Sequence, residues 1–235
     1  MKVLIRVWVI AMAVLLVAGS AFADGDPKSS GVVLFLVPEI HVFDIQSDFE
    51  WEDDRGNATD TIDDTFRINQ TAGLGLALTY ITSSPFTVTL EGAHHVYLYK
   101  SDRDVFDGTG LDGDIPRDET ELDFRLIDSR VGGLVGVYLL DAPARVYVQA
   151  GGAAHFEKFT GFGRDLDAMA FSAAGALGID YFVSSHFVVG TGLRVDYMLA
   201  EEFSGEFTKL SQDHDTTVTL TRMPMNWQMK FGYMF

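Results

Sequence analysis

Acid–base couples two residues apart recur along the chain. Asp128-x-Arg130, Arg194-x-Asp196 and Glu39-x-His41 are the clearest, with Glu91 four residues before His95 and Arg222 eight before Lys230. Residues two apart on an extended strand share a face, so each couple presents both signs of charge to one side. If that side is dry, paired and hydrogen-bonded ions tolerate it, whereas a lone ion does not. The chemistry implied is therefore mutual neutralisation. The candidate network is Glu39, Glu91, His95, Asp128, Arg130, Arg194, Asp196, Arg222 and Lys230, centred on Glu91, Arg130 and Arg194; Arg145, Asp180 and Lys230 are expected at solvated rims.

Other chemistries find less support. No H-E-x-x-H pattern occurs, and His94 and His95 point to opposite faces of a strand, so they cannot share a metal ion. Gly73-Leu74-Gly75 precedes no helix and cannot cradle a phosphate in the usual way. Asp102, Asp104, Asp107, Asp112 and Asp114, followed by Asp118 and Glu119, lie among glycines. Such an oxygen-rich loop can hold Ca²⁺. The competing reading is a solvated acidic rim, and calorimetry at millimolar calcium separates the two.

The elements that position these groups are strands. Met223, Met225, Trp227, Met229, Phe231, Tyr233 and Phe235 alternate with Arg222, Asn226, Gln228, Lys230 and Gly232. A period of two means an extended strand with two unlike faces. Seven apolar positions exceed a typical soluble strand and suffice to cross a bilayer. Comparable segments are read at residues 31–43, 65–80, 86–99, 121–140, 145–156, 168–183, 187–199 and 217–235. The connections alternate between short turns (Ser83-Ser84-Pro85, Asp141-Ala142-Pro143, Ser184-Ser185-His186) and long polar loops.

The fold class expected is all-β, an eight-stranded antiparallel up-and-down transmembrane β-barrel. Its apolar face meets lipid, because the other face mixes glycine and alanine with opposed charges, as a narrow interior requires. Aromatic girdles are expected at Tyr80, Phe86, Tyr181, Phe187, Tyr233 and Phe235 near the turns. A second girdle is expected at Tyr97, Tyr99, Phe124, Phe156 and Tyr197 near the loops. In the fourth strand Leu122, Phe124 and Leu126 are out of phase with Val131, Val135 and Val137, which predicts a bulge near Asp128. Pro38 and Pro224, both within strands, are expected at bulges or rims.

Met1–Ala23 has a positive start, an apolar core and an Ala21-Phe22-Ala23 cleavage site, and reads as a signal peptide. Residues 24–235 are then one barrel domain. The formal charge of −17 becomes −19 once Lys2 and Arg6 leave, which argues against nucleic acid as a partner. With no cysteine, stability cannot rest on disulfides.

A last strand ending in an aromatic residue, with Phe231, Tyr233 and Phe235 at alternate positions, resembles the C-terminal signature of bacterial outer-membrane β-barrel proteins. The likeness is to the small OmpA/OmpX/OmpW-like barrels. It implies recognition by the barrel-assembly machinery, an outer-membrane location with both termini periplasmic, and contact with outer-membrane lipid and lipopolysaccharide. It implies no cofactor, with divalent cations a further expectation at the loops. The function expected is a non-enzymatic structural or surface role with a largely plugged lumen. The alternatives are a narrow pore for small solutes and a lipid A-modifying acyl hydrolase. The hydrolase reading would pair His94 with Ser129, although the sequence shows no acidic partner and lacks the closely spaced His and Ser of the lipid A deacylases.

Overall fold

A computed structural model describes residues 30–53, 60–63, 67–83, 85–102, 121–139, 143–161, 164–199, 201–209 and 212–235. The signal peptide and four of the five loop aspartates (Asp104, Asp107, Asp112 and Asp114) lie outside the described residues. Asp102 is the last residue of its strand, with its side chain outside the description.

Ten strands follow one another, with no helix among the described residues: β1 (Gly31–Asp53), β2 (Asp60–Asp63), β3 (Arg67–Ile81), β4 (Phe86–Asp102), β5 (Glu121–Tyr138), β6 (Ala144–Gly161), β7 (Arg164–Phe182), β8 (Phe187–Met198), β9 (Glu201–Lys209) and β10 (Gln212–Met234). Eight form the wall in the order β1-β3-β4-β5-β6-β7-β8-β10, and β10 pairs antiparallel with β1 to close it. The short β2 and β9 extend the wall by pairing with β1 and β10 respectively. Closure leaves no wall edge unpaired, which a strand structure facing lipid requires.

Register fixes the shape. From Gly31, partners run through Ile81, Thr87, Gly136, Gln149, Ala176, Arg194 and Asn226 and return to β1 at His41, ten residues along. A stagger of ten over eight strands tilts them by about 40° and leaves a bore that side chains can fill. At the short Ser184 turn the hydroxyl oxygen accepts the N–H groups of His186 (3.2 Å) and Phe187 (3.1 Å), relieving two donors where the ladder ends.

The alternation is realised as inside and outside. Leu74, Leu76, Leu78 and Tyr80 of β3 are exposed while Ala77, Thr79 and Ile81 are buried, and β4 and β7 behave alike. The exposed apolar wall is what lipid would cover.

Several expectations are corrected. The strands outrun the predicted ones: β1 continues to Asp53, β6 to Gly161, β7 begins at Arg164 and β10 at Gln212. The apolar alternation reaches only as far as the apolar outer wall, whereas ladder hydrogen bonds need no apolar face, so pairing outlasts the pattern. There is no bulge at Asp128, since β5 keeps one register with β4 and β6 throughout. The change of phase is one of content: Leu126 faces inward and is buried. Pro38 also sits in unshifted register opposite Leu74. The irregularities fall on β1 between His41 and Phe43 and between Asp44 and Ser47, where Asp44 faces Pro224, and on β3 between Ile68 and Gln70. Tyr97 points into the barrel rather than joining a girdle.

Candidate functional site

The inward face is stacked in tiers. At the turn end lies an apolar floor that includes Val33, Phe35, Val37, Ile81, Phe182, Val188 and Met234, with Tyr138 and Tyr147. Lys230 is buried against it, its Nζ 3.4 Å from Asp180 Oδ1 and 3.8 Å from the centre of the Tyr147 ring. The Tyr138 hydroxyl donates to Asp180 Oδ2 at 2.7 Å, and the Arg145 guanidinium lies 4.3 Å over Phe182. Arg145, Asp180 and Lys230 are therefore buried rather than solvated at a rim. Sequence parity gives a direction but no depth, and here aromatic faces cover the cations. Above them Gln149 donates to Thr87 (3.1 Å) and Thr89 (3.0 Å), and Thr79 and Thr89 hydroxyls are 2.9 Å apart.

The middle tier is ionic. Glu39 accepts from Arg130 Nη2 (2.7 Å), His95 Nε2 (3.0 Å) and Gln228 Nε2 (3.1 Å). Arg130 also approaches Glu91 (3.9 Å) and Asp196 (3.5 Å). Arg194 grips Asp196 through Nε and Nη2, both at 2.7 Å, and donates to Glu91. Two arginines thus alternate with three carboxylates, each arginine serving more than one acceptor, a charge-assisted arrangement that satisfies buried ions.

A chain of hydrogen bonds leads on to the upper tier. Ser172 Oγ donates to Asp196 (3.1 Å) and lies 2.9 Å from His155 Nε2, while His155 Nδ1 is 3.1 Å from Asp128. Arg222 pairs with Glu157 and stands 3.7 Å from Asp128, its guanidinium 4.8 Å over Tyr97. The Asp128–His155–Ser172 connectivity matches that of a catalytic triad. Here, however, the serine proton is committed to Asp196, and Tyr97, Leu126, Phe159 and Leu166 form one buried apolar rung across four strands beside it. His41 Nδ1 donates to the Asn226 side-chain oxygen Oδ1 at 3.2 Å.

All nine predicted network residues face inward, eight of them buried and Glu91 paired with Arg130 and Arg194 in the lumen, and the tiers link them to partners that sequence reading missed. Glu157 was expected in a loop, yet it is a buried strand residue paired with Arg222. Tyr97 was expected at the interface, yet it stacks on His95 at 5.7 Å. The parity of Glu91 and His95 would have placed Tyr97, and the parity of the sixth strand, carried past its last apolar residue, would have placed Glu157. Asp128, His155 and Glu157 lie close enough together to share an ion, but the Arg222 guanidinium already pairs with both carboxylates.

Room for these side chains is made by glycine. A Cβ on Gly73 would lie 2.0 Å from His95 Cδ2, so the imidazole rests directly on that backbone. Gly73→Ala should cost about 1 to 3 kcal/mol by overpacking and displace His95 from Glu39. Urea unfolding of the refolded protein measures the first effect, and the His95 ring signals in NMR report the second.

On the outer face, His94 Nδ1 is 2.9 Å from Ser129 Oγ, so the register does bring the predicted pair together. Phe231, Tyr233 and Phe235 share the outward face of β10 at the β1–β10 seam. The Tyr233 ring packs edge-on to Phe187 (5.4 Å) and Phe235 (5.1 Å), and Phe235 N–H donates to the Val32 carbonyl at 3.0 Å.

No protein-family model and no curated protein sequence matches the chain. Solved structures do. The outer membrane protein OprG from Pseudomonas aeruginosa superposes with a TM-score of 0.64 at 16% identity, covering 90% of this chain and 99% of that one. The fold is that of a small bacterial outer-membrane β-barrel. Two further barrels match less closely. AlkL, solved in lipid bilayers, has a TM-score of 0.45 at 15% identity over 91% and 93% of the two chains. Ail of Yersinia pestis has 0.38 at 14% over 87% and 99%. In this outer-membrane-type barrel the middle of the interior carries ions.

Proposed function

We propose that the protein is an integral outer-membrane barrel that works as a closed scaffold, with a structural or surface-presenting role. The ring of Glu39, Arg130, Glu91, Arg194 and Asp196 across the bore is the observation that carries this reading. An ion entering would have to separate pairs that an apolar floor holds away from water, which is costly at low dielectric. The acidic loops above would present negative charge outward. The purified, refolded protein in a planar bilayer should show no steady conductance. Stepwise openings like those of a general porin would overturn the plug and establish the narrow pore instead. The protein should also stay with membranes through carbonate and urea extraction, and release as a soluble species would remove the membrane reading altogether.

One observation favours a second reading: the His94–Ser129 hydrogen bond on the lipid-facing wall. A serine activated by histidine at that depth has the chemistry of an acyl hydrolase. The registered neighbours of the pair are Leu74 and Phe156, and among the described residues no carboxylate orients the imidazole. The bond also has a simpler use, satisfying two polar groups that face hydrocarbon. Mass spectrometry of lipid A with and without the protein decides, and an unchanged acyl pattern eliminates the hydrolase.

A further inference from the structure

Of the acids described inside the lumen, Glu39, Glu91, Asp128, Glu157, Asp180 and Asp196 each have an arginine or lysine nitrogen within 4 Å. Asp44 is the exception. Its side chain is 7% exposed, and its one charged or chargeable neighbour at that range among the described residues is His41, with Nε2 3.6 Å from Oδ1. Arg222, the nearest cation on the upper tier, is engaged by Glu157 and Asp128. The Tyr97 ring neighbours both groups, edge-on to His41 at 5.5 Å and 4.8 Å from the Arg222 guanidinium.

The backbone is shaped to bring this pair together. Residues three apart on a regular strand face opposite ways, yet an extra residue between His41 and Phe43 leaves Val42 and Phe43 both outward and returns Asp44 to the lumen. Bulges that re-aim a side chain in this way recur beside functional sites. The imidazole proton is placed as well. Asn226 Oδ1 can only accept, so His41 Nδ1 carries the hydrogen and Nε2 turns a lone pair toward the Asp44 oxygen. Neither Nε2 nor that oxygen has a hydrogen-bond partner, and 3.6 Å is too long for a hydrogen bond between them. Two buried acceptors aimed at one another repel unless a positive charge lies between them.

We propose that His41 Nε2 and the Asp44 carboxylate hold a divalent transition-metal ion at the β1 bulge, with water completing its coordination. Two such ligands on one tetrahedral ion stand roughly 3.4 Å apart, close to the spacing between these atoms. The Nδ1–H bond to an amide oxygen is the outer contact that orients a ligating imidazole. With no cysteine in the chain, the donors are nitrogen and oxygen, a set that suits zinc or copper. Calcium, which takes oxygen ligands, is not matched by the imidazole. The site is thus separate from the calcium expected at the loop aspartates, and it does not depend on whether the barrel conducts.

The test is titration of the refolded, full-length mature protein, untagged and stripped with chelator, with Zn²⁺ and separately with Ca²⁺. Nitrogen NMR of the histidine rings follows His41. Zn²⁺ should shift the Nε2 signal and leave Nδ1 protonated, while Ca²⁺ should leave the ring unchanged. By calorimetry, Asp44→Asn and His41→Gln should each weaken Zn²⁺ binding by about tenfold or more. Asn226→Asp should tighten it about tenfold, because a carboxylate raises the basicity of the imidazole that donates to it. Misfolding cannot produce that gain. A His41 signal unmoved at millimolar Zn²⁺ overturns the site. So does a metal-free ring protonated on both nitrogens that zinc does not displace, since His41 and Asp44 would then be a plain ion pair. Zinc bound equally by wild type and by both ligand variants would place the ion elsewhere in the chain and overturn it as well.

Discussion

Arg130→Ala should lower the stability of the refolded barrel by about 3 to 5 kcal/mol, the cost of breaking a buried pair from one side. Arg130 is 2.7 Å from Glu39, 3.5 Å from Asp196 and 3.9 Å from Glu91. Its removal leaves Glu91 and Asp196 to share Arg194, with Glu39 reduced to His95 and Gln228. Urea titration in lipid vesicles, read by the gel-mobility difference between folded and unfolded barrel, measures the loss. A neutral double substitution, Glu39→Leu with Arg130→Met, should cost less than Arg130→Ala alone, because no lone ion is left behind. If the single substitution leaves the midpoint unmoved, the ring is not a dry network.

Deleting Phe235 should strip the protein from the outer membrane of cells while leaving refolding in detergent largely intact. The stability at stake is modest: one backbone hydrogen bond, to Val32, and one aromatic contact, to Tyr233, together worth about 2 kcal/mol. A barrel closed along the whole β1–β10 seam withstands that. Recognition by the assembly machinery, which the resemblance assigns to Phe231, Tyr233 and Phe235, would be lost far more completely. Fractionated membranes, compared with the folded band after refolding, separate the two effects. Full assembly of the truncated protein would remove these aromatics from any targeting role.

How far the fold could be read beforehand depended on where the outer wall is apolar. Alternation gave the wall strands, their direction and which residues of β8 and β10 face inward, because one face must be apolar and the other cannot be. Above the apolar band that constraint lapses, so 44–53 and 157–161 looked like loops although they are paired strand. Depth within the lumen was equally illegible. Nothing in the spacing of Lys230 or Asp180 reveals that Tyr147 and Phe35 cover the ammonium group. Leu126 was misread for a related reason: an apolar residue inside looks like a slipped register when the interior is assumed to be polar. The partners of the central ions were beyond reach as well. Arg194 and Glu91 are 103 residues apart and meet only because the wall closes with its particular stagger.

That stagger, with the strict inside–outside parity, also bears on how much of a sequence this architecture reads. Each wall position poses a binary question, apolar outward or small and compensated inward, and many residues give an acceptable answer to either. A single inserted residue, by contrast, inverts every later answer on its strand. Length is therefore held rigidly and identity loosely. A barrel sharing only 16% of its residues can then align over 90% of the chain, since what the two have in common is a pattern of choices more than a set of letters.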